Sequence, residues 1–124
     1  MNDPEVNMLD ALPNTGLIAH RKALDAAGAA IKLVMRLPAL LKPMTDQVLR
    51  SASSVPANLA EGHGRSGRDR QHFWRIAYAS AKEVDSHLRL LAATGAVDPA
   101  AVKSALDGFD QVRAMIWRLL NPRP

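Results

Sequence analysis

A chain of 124 residues carrying 48% hydrophobic and 23% charged side chains, but only two Trp, one Tyr and two Phe, has the length of one domain and the composition of Ala- and Leu-rich helices. The absence of cysteine excludes a disulfide framework, a thiolate nucleophile and a zinc–sulfur site. The formal charge is +4, and because Asp3, Glu5 and Asp10 lie in the first thirteen residues, the remainder sets sixteen basic residues against nine acidic ones, a balance that suits a polyanionic partner.

The opening MNDPEVNMLDALPNTG lacks the basic and apolar regions of a signal peptide, and no apolar run reaches the roughly 20 residues of a bilayer span. A cytoplasmic protein without membrane contact is expected. Residues 1–13, with Pro4 and Pro13, read as a disordered or loosely attached tail, 14–121 as a single domain, and 122–124 as a short C-terminal tail. The first helix is predicted from an Asn14 or Thr15 cap to Arg36. Leu17, Leu24 and Ile31 recur at sevens, with Ala27, Val34 and Met35 filling the same side. Pro38 ends it.

Thr45 or Asp46 is placed to cap a second helix, whose apolar positions Val48, Ala52, Val55 and Leu59 keep helical period straight through Pro56. Proline removes a donor and crowds the preceding turn, so a kink near Ala52 is expected inside a helix that resumes. Gly62 and Gly64 are assigned left-handed conformations that finish it. Ser66 with Asp69 matches a capping box ahead of a third helix, whose stripe is read as Phe73, Ile76, Ala77, Val84, Leu88 and Leu91, interrupted at Ser80. Gly95 stops that helix. Asp98-Pro99 starts a fourth, lined by Val102, Leu106, Phe109, Val112, Ile116 and Leu119. Four helices with short or proline-bearing connections predict an all-α, up-down-up-down four-helix bundle.

On the third helix Arg68, Arg75, Lys82 and Arg89 recur at sevens opposite the apolar stripe, a row able to follow phosphates, or an ordinary solvated face tempered by Asp85. Arg65 and Arg70 flank the helix start, where cations and free N–H groups suit an anion. Trp74 and Tyr78 are placed between row and stripe, as a subunit contact, an edge of the core, or stacking surfaces for bases. On the second helix Ser51, Ser54, Asn58 and Glu61 share one side, a pattern for hydrogen bonding at a helix or subunit junction.

No catalytic group is assigned: a hydrolase built on Glu61 and His63 lacks a nameable nucleophile or base. GHGRSGR follows a helix and lacks the GK[ST] ending, so it is not a nucleotide phosphate loop. His20, His63, His72 and His87 show no HxxxH or HExxH pairing, so no metal or other cofactor is expected.

The runs RSASSVPANLAEGHGR and FWRIAYASAKEVDSHL resemble the four-helix-bundle family encoded in 23S ribosomal RNA intervening sequences, which includes the accessory variability proteins of diversity-generating retroelements. The matching positions are Arg50, Ser54, Val55, Pro56, Asn58, Leu59, Ala60, Glu61, Gly62, Arg65, Phe73, Ala79, Ser80 and Glu83. His63 departs from the tyrosine often found after Glu-Gly. The resemblance implies a barrel-like homopentamer with a basic surface that in retroelement relatives binds nucleic acid and contacts a reverse transcriptase. The expected function is that of a non-enzymatic, oligomeric nucleic-acid-binding or accessory protein with RNA or DNA backbone as partner. The alternative is a scaffold that docks a partner protein such as a reverse transcriptase without touching nucleic acid.

Overall fold

The computed structural model describes residues 7–13 and 15–123. Among them are helices α1 (Ile18–Val34), α2 (Lys42–His63), α3 (Gly67–Ala93) and α4 (Pro99–Leu120), two short 3-10 turns at Met8–Ala11 and Ala39–Leu41, and no strand. Each helix packs on the next in sequence, and α1 closes the ring against α4. Side-chain pairings fix the directions. Ascending α2, Arg50, Ser54 and Leu59 meet Glu83, Ser80 and Trp74 in turn, so α2 and α3 run antiparallel. His63, at the end of α2, lies beside Gly16 at the start of α1, which makes that pair antiparallel too.

The helix ends obey local chemistry that differs in places from the expected caps. α1 begins at Ile18 after Leu17, without a side-chain cap; Asn14 lies outside the described residues, and Thr15 Oγ is bonded at 2.8 Å to His20 Nδ1. α2 begins at Lys42, ahead of the expected Thr45 or Asp46, because Pro43 sits in the first turn, where a missing N–H is harmless. Asp46 instead accepts from Lys42 Nζ at 2.8 Å. Gly62 is helical and Gly64 has φ −78°, so neither uses the left-handed region; the turn takes that conformation at Gly67, φ 58°, and α3 is terminated at Gly95, φ 77°. Ser66 makes no side-chain cap bond, so the capping box does not form. Asp98 does cap α4, accepting from the Ala100 N–H at 3.2 Å.

Residues of the expected N-terminal tail fold back on α1: Asn7 Nδ2 donates to Asp25 at 2.6 Å, and Arg21 pairs with Asp10.

The core is set by close approach on one side and by large side chains on the other. α1 buries Ala19, Ala23, Ala26, Ala27, Ala30 and Val34, while Leu24 and Ile31 are half-buried and Met35 is 64% exposed. The expected leucine stripe therefore lies at the flank: α1 is held between α2 and α4, and small side chains face the centre. Gly108 of α4 sits so near that an added Cβ would lie 3.4 Å from Ala26 Cβ. On α2, Val48, Ala52, Val55 and Leu59 are all fully buried, and the helix runs on through Pro56. On α3 the buried face is Trp74, Ala77, Ser80, Ala81, Val84, Leu88 and Leu91; Phe73 and Ile76, expected in the core, are half-buried. α4 buries Val102, Leu106, Phe109, Val112 and Ile116, with Leu119 half-buried near its end.

The rotation of the α3 face follows from Trp74. Its indole is 6% exposed and donates from Nε1 to the Leu59 carbonyl at 3.2 Å, lying over Gly62, where an added Cβ would fall 2.6 Å from the ring. Any side chain at 62 would displace the tryptophan. Gly62→Ala should therefore destabilise the protein by about 1–3 kcal/mol, despite alanine's better helix propensity. Gly28 has nothing within 4 Å of an added Cβ, and Gly28→Ala should stabilise by about 0.5–1 kcal/mol. Urea denaturation midpoints of both variants check the opposite signs.

Where α1 and α2 meet, burial lowers the His20 imidazole below its ordinary value, and the neighbouring His63 charge adds to the effect. The folded protein thus binds fewer protons here than the unfolded chain, so this contribution to stability is present above the unfolded value of about 6.5 and is lost as pH falls below it. Denaturation midpoints taken between about pH 7.5 and about pH 5 should fall with acid, and His20→Gln should reduce that slope.

Candidate nucleic-acid interface

The six basic residues at and along α3 divide into two groups. Arg68, Arg75 and Lys82 are exposed on α3 and pair with no carboxylate among the described residues; Arg75 makes a long bond to Gln71 at 3.4 Å. At 1.5 Å rise per residue the three span roughly 21 Å of helix. Arg65, Arg70 and Arg89 are engaged within the fold.

Arg89 donates to Asp85 at 2.6 Å, and the other oxygen of that 13% exposed carboxylate lies 3.5 Å from Arg113 on α4. Asp85 thus ties α3 to α4. Arg65 turns back to Glu61 at 2.6 Å, lies 4.0 Å from Asp69, and covers the Phe73 ring at 4.8 Å. Arg70 donates to the Gly62 and His63 carbonyls, each at 3.1 Å, and lies over the Trp74 ring at 5.3 Å. Its cation is placed at the negative end of α2, satisfying carbonyls left over by the helix. The half-buried Arg70 and the paired Arg65 are staples of the α2–α3 turn.

The motif residues of α2 assemble into a polar seam against α3. Ser54 Oγ is 2.8 Å from Ser80 Oγ; Asn58 Nδ2 donates to the Ser54 carbonyl at 2.8 Å and to its hydroxyl at 2.9 Å. Ser51 returns its hydroxyl to the Gln47 carbonyl at 2.7 Å. Arg50 reaches Glu83, which also lies 3.5 Å from His87. Glu61 stands apart from the seam, occupied by Arg65. A buried Ser80 is tolerated because its hydroxyl has a partner. Neither Glu61 nor His63 is brought to the other: the first pairs with Arg65, the second turns toward Gly16. Among the described residues no group of three or more His, Asp or Glu could hold a metal ion, and no helix is long and apolar enough to cross a membrane.

Of the two aromatics assigned to the edge of the row, Trp74 is in the core and Tyr78 is half-buried. The exposed aromatic is Trp117 of α4, 55% accessible, facing Tyr78 and Lys82 across an α3–α4 groove together with Arg113, Arg118 and Arg123. The fourth helix was read from its sequence only as an apolar stripe, so this cluster was not anticipated. Arg113 and Trp117, four residues apart and so on one helix face, were the available signal.

These features define an all-helical bundle with a basic ridge, a hydrogen-bonded α2–α3 seam and no assembled catalytic group among the described residues. The model of the 23S rRNA-intervening sequence protein family matches residues 15–118, and the chain belongs to that family. A solved structure from Bacteroides thetaiotaomicron, described as a protein of unknown function from the S23 ribosomal protein family, is similar at a TM-score of 0.77 and 24% identity, over 84% of this chain and 96% of that one. That likeness supports the fold alone. Neither description names an enzyme. No curated protein matches the chain.

The seam makes a prediction about coupling. Ser54→Ala or Ser80→Ala should each cost about 1–2 kcal/mol by leaving a polar partner unsatisfied, whereas the double variant should cost less than the sum by about 0.5–1.5 kcal/mol. Unfolding of the four proteins of this cycle measures it.

Proposed function

We propose that the protein is a non-enzymatic, oligomeric nucleic-acid-binding or accessory protein whose phosphate contact is the outward ridge of α3. The observation that carries this reading is the contrast between cations. Lys42, Arg65, Arg89 and Lys103 each sit four residues from a carboxylate and pair with it, but Arg68, Arg75 and Lys82 keep their charge unneutralised on one exposed line. Such a line favours polyanions through release of condensed counterions, with little preference for base sequence. Arg70, bonded to carbonyls only, supports it by adding positive potential, and Arg65 and Arg89 support it by holding the helices that carry it.

The reading includes assembly as a barrel-like homopentamer, implied by the resemblance of the sequence motif, in which five copies of the ridge would convert a modest affinity per subunit into a useful one. It also includes a bend of α2 near Ala52, whose carbonyl would lose its helical donor to Pro56. A second reading, docking of a partner enzyme such as a reverse transcriptase, draws on Met35 and Leu40, 64% and 89% exposed around the α1–α2 connection.

The test is the salt dependence of binding to a labelled duplex. Replacing Arg75 and Lys82 together by alanine should reduce the slope of log affinity against log salt by roughly 1 for each cation removed, while Lys103→Ala, which breaks a pair with Asp107 on α4, should leave it near the wild-type value. Equal slopes for wild type and the double variant would show that the ridge is not the contact.

A further inference from the structure

The groove between α3 and α4 is open, with a volume of about 1310 Å³, and its walls carry Tyr78, Lys82, Arg113, Trp117, Arg118 and Arg123. Among the described residues Asp110 is the one acidic group in its walls, and it is paired with Arg113. Four cations therefore face one carboxylate. Lys82 belongs to the ridge as well, so groove and ridge form one continuous basic surface.

The two tryptophans of the chain differ in a telling way. Trp74 is buried, with its N–H given to a carbonyl and an arginine over its ring. Trp117 is 55% exposed, and among the described residues its indole makes no hydrogen bond and stacks on no other ring or guanidinium. A large apolar plane presented to water within a cationic groove is matched by a ligand that combines flat aromatic faces with regularly spaced negative charge.

We propose that this groove binds a single-stranded stretch of nucleic acid, with a base stacked on Trp117 and the flanking phosphates held by Lys82, Arg118 and Arg123. The inference rests on the nucleic-acid reading of the α3 ridge and adds the strand form that is recognised. A duplex offers its phosphates to Lys82 but hides its base faces in its own stack, so Trp117 gains nothing from it; an unpaired base exposes both faces and stacks whatever its identity. A second copy seated through the same groove on both partners would bring Lys82, Arg118 and Arg123 against the same cations, whereas a head-to-tail contact of the kind a ring uses is distinguished by the assembly mass of a Trp117 variant.

The experiment uses the full chain, an unstructured oligothymidylate and a hairpin duplex of matching phosphate number, with tryptophan emission and affinity measured on each. Oligothymidylate should quench the exposed Trp117, and Trp117→Ala should abolish that quenching and weaken oligothymidylate binding roughly tenfold while leaving duplex affinity unchanged. Trp117→Phe, which keeps an aromatic plane, should restore most of the affinity. Arg75→Ala with Lys82→Ala should weaken both probes. If Trp117→Ala leaves oligothymidylate affinity unchanged while the double variant weakens both probes, the groove assignment is overturned and the ridge stands. If wild type binds neither probe, both readings fall. A Trp117→Ala protein that has lost its native assembly mass by light scattering, with circular dichroism unchanged, would identify the groove as a subunit contact and likewise overturn the proposal.

Discussion

The seat of Trp74 on Gly62 is the constraint from which the α2–α3 half of the bundle follows. It joins the last turn of α2 to the second turn of α3 across a connection of three residues, 64–66, and its N–H bond to the Leu59 carbonyl allows only one rotational setting of α3. Shifting α3 by one residue would turn its face by about 100° and carry Ser80 away from Ser54 and Glu83 away from Arg50. The Arg70 guanidinium then closes the joint from outside, taking two carbonyls at the end of α2 and lying over the indole. One aromatic side chain thus sets register, and the polar seam depends on that register.

The same contacts explain which parts of the molecule were legible in the sequence. Helix number, order and approximate length were, because proline, glycine and Asp98 punctuate a consistent helical period. The α2 stripe was legible for the same reason: its valines, alanine and leucine have no competitor for the interior. The α3 stripe was not, since Phe73 and Trp74 are adjacent and equally apolar; the choice between them is made by Gly62, twelve residues upstream of Trp74, through space. On α1 the leucines looked like core, while the small residues of DAAGAAIK, which permit a neighbouring helix to come close, are the ones that face the centre. The site suffered most where local charge was read without partners. Arg65 and Arg89 sit four residues from Glu61 and Asp85, a pairing that the sequence offers, whereas the carbonyl partners of Arg70 come together only in the folded geometry.

Charge on this surface is organised by helix periodicity. Carboxylates placed four residues from cations, as in Lys42 with Asp46 on α2, Arg89 with Asp85 on α3 and Lys103 with Asp107 on α4, neutralise those cations locally, each exposed pair adding at most about half a kcal/mol. Among the described residues, cations without a carboxylate partner lie on the outer line of α3 and around the end of α4, and also at Lys22, Lys32 and Arg36 on and just after α1. The net charge of +4 is therefore a modest sum over an uneven surface, and a polyanion would feel the local excess more than the total.

The alanine face of α1 has a mechanical corollary. Five of its six buried apolar side chains are single methyl groups, so this rod is fitted closely yet sheds little greasy area when it leaves, in contrast to α4, anchored by Phe109 and Ile116. Opening free energy scales with the apolar surface re-exposed. The bundle accordingly has a weak stave, and breathing motions that leave the other three helices intact would begin there.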